Sequence, residues 1–231
     1  MYELQYVPLA LPFFLFFVGL FLFIVVLIQI RVLQYAYAKL GLSSSAALLL
    51  LLASLIGSYF NIPITELPER EVRSGQVIEF FGMRYVVPLV ADWPRTVIAV
   101  NIGGAVIPSL LSLYLLLKNW IWSSAAVATV VVTVVCYLLA QPVPGIGIAI
   151  PSLVPPIIAA IVALLVARTN VAAVAYVSGS LGTLIGADLL NLGKVQGLGA
   201  PVVSIGGAGT FDGVFLTGII AVLLASFSGR A

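Results

Sequence analysis

The chain has 231 residues, of which 62% are hydrophobic and only 8% are charged, and its net charge is +2. About a quarter of the residues in globular domains are charged, so the composition excludes an ordinary water-soluble domain and predicts an integral membrane protein that contacts the lipid bilayer. The lack of histidine and the single cysteine exclude a disulfide framework and metal sites built from histidine or several cysteines. No metal, cofactor or nucleic acid partner is expected.

Seven apolar segments are long enough, at about 20 residues, to cross the hydrocarbon core as helices. The breaks between most of them are short and polar, as in RVLQYAYAKLGLS, KNW and RTN, which predicts tight turns between neighbouring helices. The predicted class is therefore an all-α integral membrane protein with about seven transmembrane helices in one domain, residues 1–231. The segments are residues 7–30, 44–60, 96–117, 120–140, 149–167, 171–190 and 211–229.

Residues 61–95 differ from the other connections because they hold most of the charge of the chain. Ser74-Gly75 and Gly82 separate short runs rich in Val, Ile, Phe and Tyr, a pattern typical of strands joined by turns. We expect a small extracytoplasmic β-hairpin cap of two or three strands, inserted between the second and third helices. Whether this cap has a function of its own or is only an ordered loop stays open.

An odd number of spans places the two termini on opposite sides of the membrane. With the N-terminus outside, the inner side receives five basic residues and no acidic residue. Basic residues in short inner loops determine orientation, so we predict a cell-membrane protein with its N-terminus outside and its C-terminus in the cytoplasm. The five basic residues are Arg31, Lys39, Lys118, Arg168 and Arg230.

Two short motifs occur twice. SLIG at residues 54–57 recurs as TLIG at 183–186, and IGGA at 102–105 recurs at 205–208. The spacing predicts that helices one to three and five to seven are parallel repeats, with the fourth helix as the linker. Chance matches in a chain rich in Gly, Ala, Leu and Ile are the alternative. Parallel repeats occur in some transporters, with the substrate site between the halves.

Asp188 and Asp212 lie within predicted spans, where a charge is costly and often functional. Asp188 is near the C-terminal end of the sixth helix, where the dipole disfavours an anion, whereas Asp212 begins the seventh helix, where it is stabilised. We predict that the two carboxyls face each other and that one keeps its proton near neutral pH. Two simpler interpretations stay open, namely that Asp188 pairs with Lys194 and that Asp212 only caps its helix.

Several glycines precede Asp212 in IGGAGTFDGVF, residues 205–215. They allow a tight turn or a close approach to a ligand, and their amides form a candidate anion-binding nest. Two asparagines are further candidates. Asn191 shares a helix face with Asp188, and Asn101 opens the third helix as a candidate cap. The candidate ligand-binding residues are Gly206, Gly207, Gly209, Asn191 and Asn101.

The segments TVIAVNIGGAVIP, IGADLLNLG and GGAGTFDGVFLTGI resemble a prokaryotic family of multi-pass membrane proteins, the domain of unknown function 1614. That resemblance implies a multi-pass membrane architecture but says little about the chemistry of the protein. Locally, GTFDGVFLT is similar to the Gly-x-Gly-Asp segment of presenilin-like and signal-peptide-peptidase-like intramembrane aspartyl proteases, with Phe211 in place of the second glycine. This similarity implies catalytic roles for Asp212 and for Asp188 as its partner.

Three functions stay open on this basis, all involving the membrane. The first is a polar intramembrane site on helices six and seven, in a protease-like enzyme that acts on a membrane-embedded peptide. The second is a transporter of a small solute or ion, built from parallel repeats. The third is a scaffold subunit without catalytic activity, which uses the 61–95 cap as a contact surface.

Overall fold

The computed structural model describes residues 29–67, 77–80, 83–86, 96–143, 147–195, 202–207 and 213–227, with isolated helical positions at 19, 23 and 26. This part of the chain is mostly helical. Its α-helices are α1 (Gln29–Lys39), α2 (Ser44–Gly57), α3 (Ile107–Asn119), α4 (Trp122–Leu139), α5 (Val154–Val166), α6 (Val171–Thr183) and α7 (Gly213–Ser226). A π-helical turn, Ile102–Val106, precedes α3, and α6 continues through a π-helical turn, Leu184–Asp188, and a 3-10 helix, Leu189–Lys194.

Helix α6 is the centre of the helical layer. Every residue from 171 to 180 is buried, and the helix packs against α3, α4, α5 and α7. Small side chains permit this, because they let neighbouring backbones approach closely. Gly179 lies against Thr217 of α7, and Gly182 lies against Val132 of α4. A central helix made largely of Ala, Gly, Ser and Val therefore positions everything attached to its C-terminal end.

Three strands form one sheet in the order β1–β4–β7, and two separate pairs form hairpins. In the sheet, β1 runs antiparallel to β4, with Asn61 opposite Asn101, and β7 runs parallel to β4, with Ile205 opposite Val100. A parallel pair needs a long crossover connection, and helices α3 to α6 lie in it. The strands are β1 (Asn61–Leu67), β2 (Val77–Phe80), β3 (Met83–Val86), β4 (Thr96–Asn101), β5 (Gln141–Val143), β6 (Gly147–Ala149) and β7 (Val202–Ile205).

Three helical stretches are long and apolar enough to cross a membrane. Helices α1 and α2, bent by 115° at their junction, provide a fourth if they count as one broken span. Helices α5 and α7 are apolar but shorter. The described residues therefore contain three or four candidate spans, which are compatible with membrane insertion, and seven are not shown. The three stretches are Ile102–Asn119, Trp122–Leu139 and Val171–Lys194. Most of the predicted first segment, 7–30, lies outside the described residues.

The sheet corrects the predicted all-α class. Residues 96–101 were expected to begin a transmembrane helix, but they form β4. Hydropathy alone does not separate a buried strand from a buried helix over so short a run, and the β-branched residues of TVIAV favour a strand. A second difference concerns residues 31–43, predicted as a turn. Helix α1 occupies this segment as far as Lys39, and the turn is confined to residues 40–43.

The strands within residues 61–95 do not form one isolated cap. Strands β2 and β3 pair as an antiparallel hairpin on either side of residues 81–82, where Gly82 indicated a turn. Strand β1, in contrast, pairs with β4 and so joins the central sheet. Gly75 lies outside the described residues. The first part of the predicted cap is therefore tied to the element that leads into α3.

Candidate functional site

Asp188 ends the π-helical turn that prolongs α6. Such turns are rare and frequently lie at functional sites. Gly186, in the middle of this turn, packs tightly on α4. A Cβ at this position would overlap the carbonyl oxygen of Thr133 and lie 2.8 Å from the Cβ of Cys136. The contact with α4 therefore holds the π-helical turn, and with it Asp188, in place.

The carboxylate of Asp188 reaches the turn that follows β7. Its Oδ2 accepts a hydrogen bond of 2.7 Å from the backbone N–H of Gly206. Gly206 and Gly207 have φ angles of +84° and +83°, which glycine adopts without the strain that a side chain would cause. The two glycines thus turn the chain sharply and direct an amide toward the carboxylate, where a charge-assisted hydrogen bond stabilises negative charge.

A cavity of about 280 Å³ lies beside Asp188. Its walls come from the end of α6 and the residues that follow it, from β7, from the β5–β6 hairpin and from the start of α7. Most of the lining side chains are aliphatic. Among the lining residues that the structure describes, the polar side chains are the carboxylate of Asp188 and the hydroxyls of Thr183 and Ser204. Among the described lining residues, a carboxylate surrounded mainly by aliphatic side chains favours a small ligand with a donor or a positive charge.

Asn191 is fully buried and fixes the backbone around Asp188. Its Nδ2 donates to the carbonyl oxygens of Gly186 at 2.8 Å and of Ala187 at 3.0 Å. Both carbonyls belong to the π-helical turn. Asn191 therefore stabilises the turn that carries Asp188, and the cavity lining does not include it.

Asn101 connects three parts of the fold. Its Oδ1 accepts a hydrogen bond of 2.8 Å from the Gly104 N–H, so it caps the π-helical turn before α3 as expected. Its Nδ2 donates to the carbonyl oxygen of Ser58 at 2.8 Å and to the Oδ1 of Asn61 at 3.0 Å. Because the Ser204 hydroxyl also donates to that Oδ1 at 2.5 Å, polar contacts run from Asn101 to the edge of the cavity.

The two IGGA segments lie side by side. The first follows β4, the second begins at Ile205, the last residue of β7, and these two strands are parallel neighbours. A Cβ on Gly104 would overlap the carbonyl oxygen of Gly206, and a Cβ on Gly206 would lie 2.5 Å from the backbone nitrogen of Ala105. Only glycines permit this backbone approach. The glycines of the two motifs therefore pack directly against each other, and this packing holds the Gly206 amide opposite Asp188.

Residues 55–224 match the family described as "Protein of unknown function (DUF1614)", and the matched stretch contains the sheet and the whole cavity lining. The chain belongs to the DUF1614 family. No curated protein and no solved structure matches it. The predicted family is thus confirmed, whereas similarity to presenilin-like proteases is not shown.

The structure of this DUF1614 protein brings some of the predicted site residues together. Asp188, Gly206 and Gly207 lie at the cavity, either in its lining or bonded to it, whereas Asn101 is connected to its edge only through other polar groups. Gly209 and Asp212 lie outside the described residues, so the pairing of Asp188 with Asp212 stays a prediction. The protease-like site is not supported.

Lys194, the alternative partner considered for Asp188, contacts an aromatic ring. Its ammonium lies 4.6 Å from the centroid of the Tyr137 ring.

In the described part of the chain, no group of three or more His, Cys, Asp or Glu residues could hold a metal ion.

Sequence patterns did not predict three polar residues that lie at or beside the cavity. Thr183 and Ser204 line the cavity, and Asn61 links Ser204 to Asn101. A signal was present for two of them, because Thr183 opens the TLIG motif and Ser204 precedes the second IGGA. Asn61 carried no such signal, since its role depends on strand pairing across 40 residues of sequence.

Proposed function

We propose that the cavity beside Asp188 binds a small solute or ion, and that this DUF1614 protein is a small-solute carrier of the membrane. The observation that carries the proposal is the Asp188 carboxylate, which lines a largely aliphatic cavity and is held by the Gly206 N–H at 2.7 Å. Acidic groups within membrane spans commonly mark the path of a substrate or an ion.

The size of the cavity favours a small ligand over a peptide. Sites for drug-sized molecules commonly measure about 300–1,000 Å³, and this cavity measures about 280 Å³. An extended peptide strand needs a long groove with hydrogen-bond partners along it. The described polar groups, namely the Asp188 carboxylate and two nearby hydroxyls, instead suit a proton, a monovalent cation or a compact molecule with an ammonium group.

The arrangement of the two IGGA segments supports a carrier more than a scaffold. In each half of the predicted repeat, a strand leads into an IGGA segment and a helix comes later in the chain, and the two strands are parallel neighbours. Parallel repeats of this kind place the substrate site near the contact between the halves. The Asp188 cavity borders that contact, because Gly207 and Ser204 line it.

The test is ligand-dependent thermal stabilisation of the full chain in detergent. A ligand that binds only the folded state at about 100 times its Kd stabilises that state by about 2.7 kcal/mol. We expect at least one compound among monovalent cations, small primary amines and amino acids to raise the melting temperature. Asp188→Asn should remove this increase. For each variant, the ligand-induced increase is measured from the ligand-free melting temperature of the same variant. This is needed because the substitution also changes the hydrogen bond to Gly206.

Glu66→Gln is the matched control, since it removes a carboxylate from the exposed part of β1, away from the cavity lining. It should keep the full ligand response. The proposal fails if no compound in the panel stabilises the wild type, or if Asp188→Asn responds like Glu66→Gln. Asp212→Asn belongs in the same series, because loss of the response there would support the predicted pairing with Asp188.

We also propose the orientation with the N-terminus outside. Helix α3 runs from the sheet to the turn at residues 120–121, so Ile64 of β1 and Trp120 lie at opposite ends of it. Both side chains are exposed, at 61% and 83%. In a Cys136→Ser background, Ile64→Cys should react with an impermeant thiol reagent added outside intact cells, and Trp120→Cys should react only after permeabilisation. The reverse pattern would contradict this orientation.

A further inference from the structure

The acidic residues are unevenly distributed along the chain. No acidic residue occurs between residues 93 and 187 or between residues 4 and 65. In the described part of the chain the acidic residues, Glu66, Glu79 and Asp188, belong to β1, β2 and the end of α6. The opposite end contains the α1–α2, α3–α4 and α5–α6 turns, and the basic residues there have no carboxylate nearby in sequence.

Two lysines lie at or beside the α1–α2 turn. The ammonium of Lys118, in the last turn of α3, donates a hydrogen bond of 2.9 Å to the carbonyl oxygen of Gly41. Gly41 has a φ angle of +72° and forms the turn directly after Lys39 at the end of α1. The hydrogen bond therefore fixes the end of α3 against the turn that carries the second lysine. No carboxylate in the described residues pairs with either ammonium.

Aromatic rings flank both ammonium groups. Lys39 lies 5.6 Å from the centroid of the Tyr35 ring, and Lys118 lies 5.4 Å from the centroid of the Tyr114 ring. Trp120, at the end of the candidate span Ile102–Asn119, is 83% exposed. Tyrosine and tryptophan collect at the boundary between hydrocarbon and headgroups. The two lysines thus lie beside residue types that are typical of the depth of lipid headgroups.

We propose that the α1–α2 turn and the end of α3 form a binding site for the headgroup of an anionic phospholipid, with Lys39 and Lys118 as its cationic ligands. An ammonium has three N–H donors, and one of those on Lys118 serves Gly41, which leaves donors for phosphate oxygens. The acyl chains would lie on the exposed apolar faces of α2 and α3, where Leu49 and Leu117 are 67% and 56% exposed. The pairing of cationic groups with adjacent exposed leucines favours a lipid over a free anion.

The experiment is native mass spectrometry of the full chain, released from detergent micelles that contain phosphatidylglycerol or phosphatidylcholine in equal amounts. We expect at least one phosphatidylglycerol molecule to stay bound with an affinity well above that for phosphatidylcholine. Each basic residue near a membrane surface contributes an attraction that corresponds to about fivefold in affinity. Lys39→Gln and Lys118→Gln should therefore each weaken phosphatidylglycerol binding about fivefold, and the double variant more than either.

Lys194→Gln is the matched control, because Lys194 is also a lysine over a tyrosine ring but lies at the opposite end of the helical layer. It should bind phosphatidylglycerol like the wild type. Lys39→Gln keeps the Lys118 to Gly41 hydrogen bond, so it separates lipid binding from folding if the Lys118 variant is unstable. Equal binding of the two lipids, or unchanged binding by both lysine variants, would overturn the proposal. Displacement of the lipid by millimolar inorganic phosphate would also overturn it, since the site would then recognise a free anion.

Discussion

Replacing Gly104 with alanine is expected to lower the stability of the protein by about 3 kcal/mol or more, at the upper end of what overpacking costs. The added Cβ would overlap the carbonyl oxygen of Gly206, which is a backbone atom and cannot move aside by a rotamer change. Relief would require β7 and its turn to separate from β4. Because Gly206 also donates to Asp188, the substitution should disturb the cavity as well.

The measurement is the melting temperature of the full chain in detergent, followed by size-exclusion chromatography after heating. A loss of about 3 kcal/mol in a chain of this length corresponds to a fall of roughly 6–12 °C. Gly193→Ala is the control, because Gly193 lies in the 3-10 helix after Asp188 and nothing lies within 4 Å of the position that its Cβ would take. Similar melting temperatures for the two variants would show that the IGGA segments are not in the tight contact described.

Replacing Asn101 with alanine is expected to cost about 3 kcal/mol. The substitution removes three hydrogen bonds, to Ser58, Asn61 and Gly104, from a side chain that is fully buried. Each such bond contributes about 0.5–1.5 kcal/mol, and the partners left unsatisfied in a buried place add to the loss. Asn101→Asp has the same shape and keeps the acceptor for Gly104, but it loses both donors and should be no more stable than the alanine variant.

Asn119→Ala is the matched control for this loss. Asn119 is half-buried near the end of α3, and its side chain makes one hydrogen bond, of 3.2 Å, to the carbonyl oxygen of Leu115. Its removal should cost about 1 kcal/mol or less. The comparison also tests the predicted ligand-binding role of Asn101. A variant with wild-type stability that no longer responds to ligand would make Asn101 a ligand-binding residue, whereas lost stability identifies it as a structural one.

The sequence predicts a membrane protein and the approximate positions of most helices. Apolar length and the scarcity of charge predict a membrane protein, with which the candidate spans are compatible, and each predicted segment from residue 44 onward contains an α-helix or most of one. The family was identified from three short segments, and residues 55–224 confirm it. The sequence also singled out Asp188 and the IGGA glycines, because a charge within a span is costly and adjacent glycines permit unusual backbone geometry. The structure brings these residues together, and their functional role stays a prediction.

Only the tertiary structure decided how these residues meet. That TVIAV forms a strand depends on β1 and β7 as partners, and these lie far away in sequence, where hydropathy carries no information about pairing. The hydrogen bond from the Gly206 amide to Asp188 could not be predicted, because it depends on the positive φ angles of two glycines that turn the chain toward the carboxylate. Composition, periodicity and charge are local properties of the chain. The cavity is a property of the contact between its two IGGA segments and the end of α6.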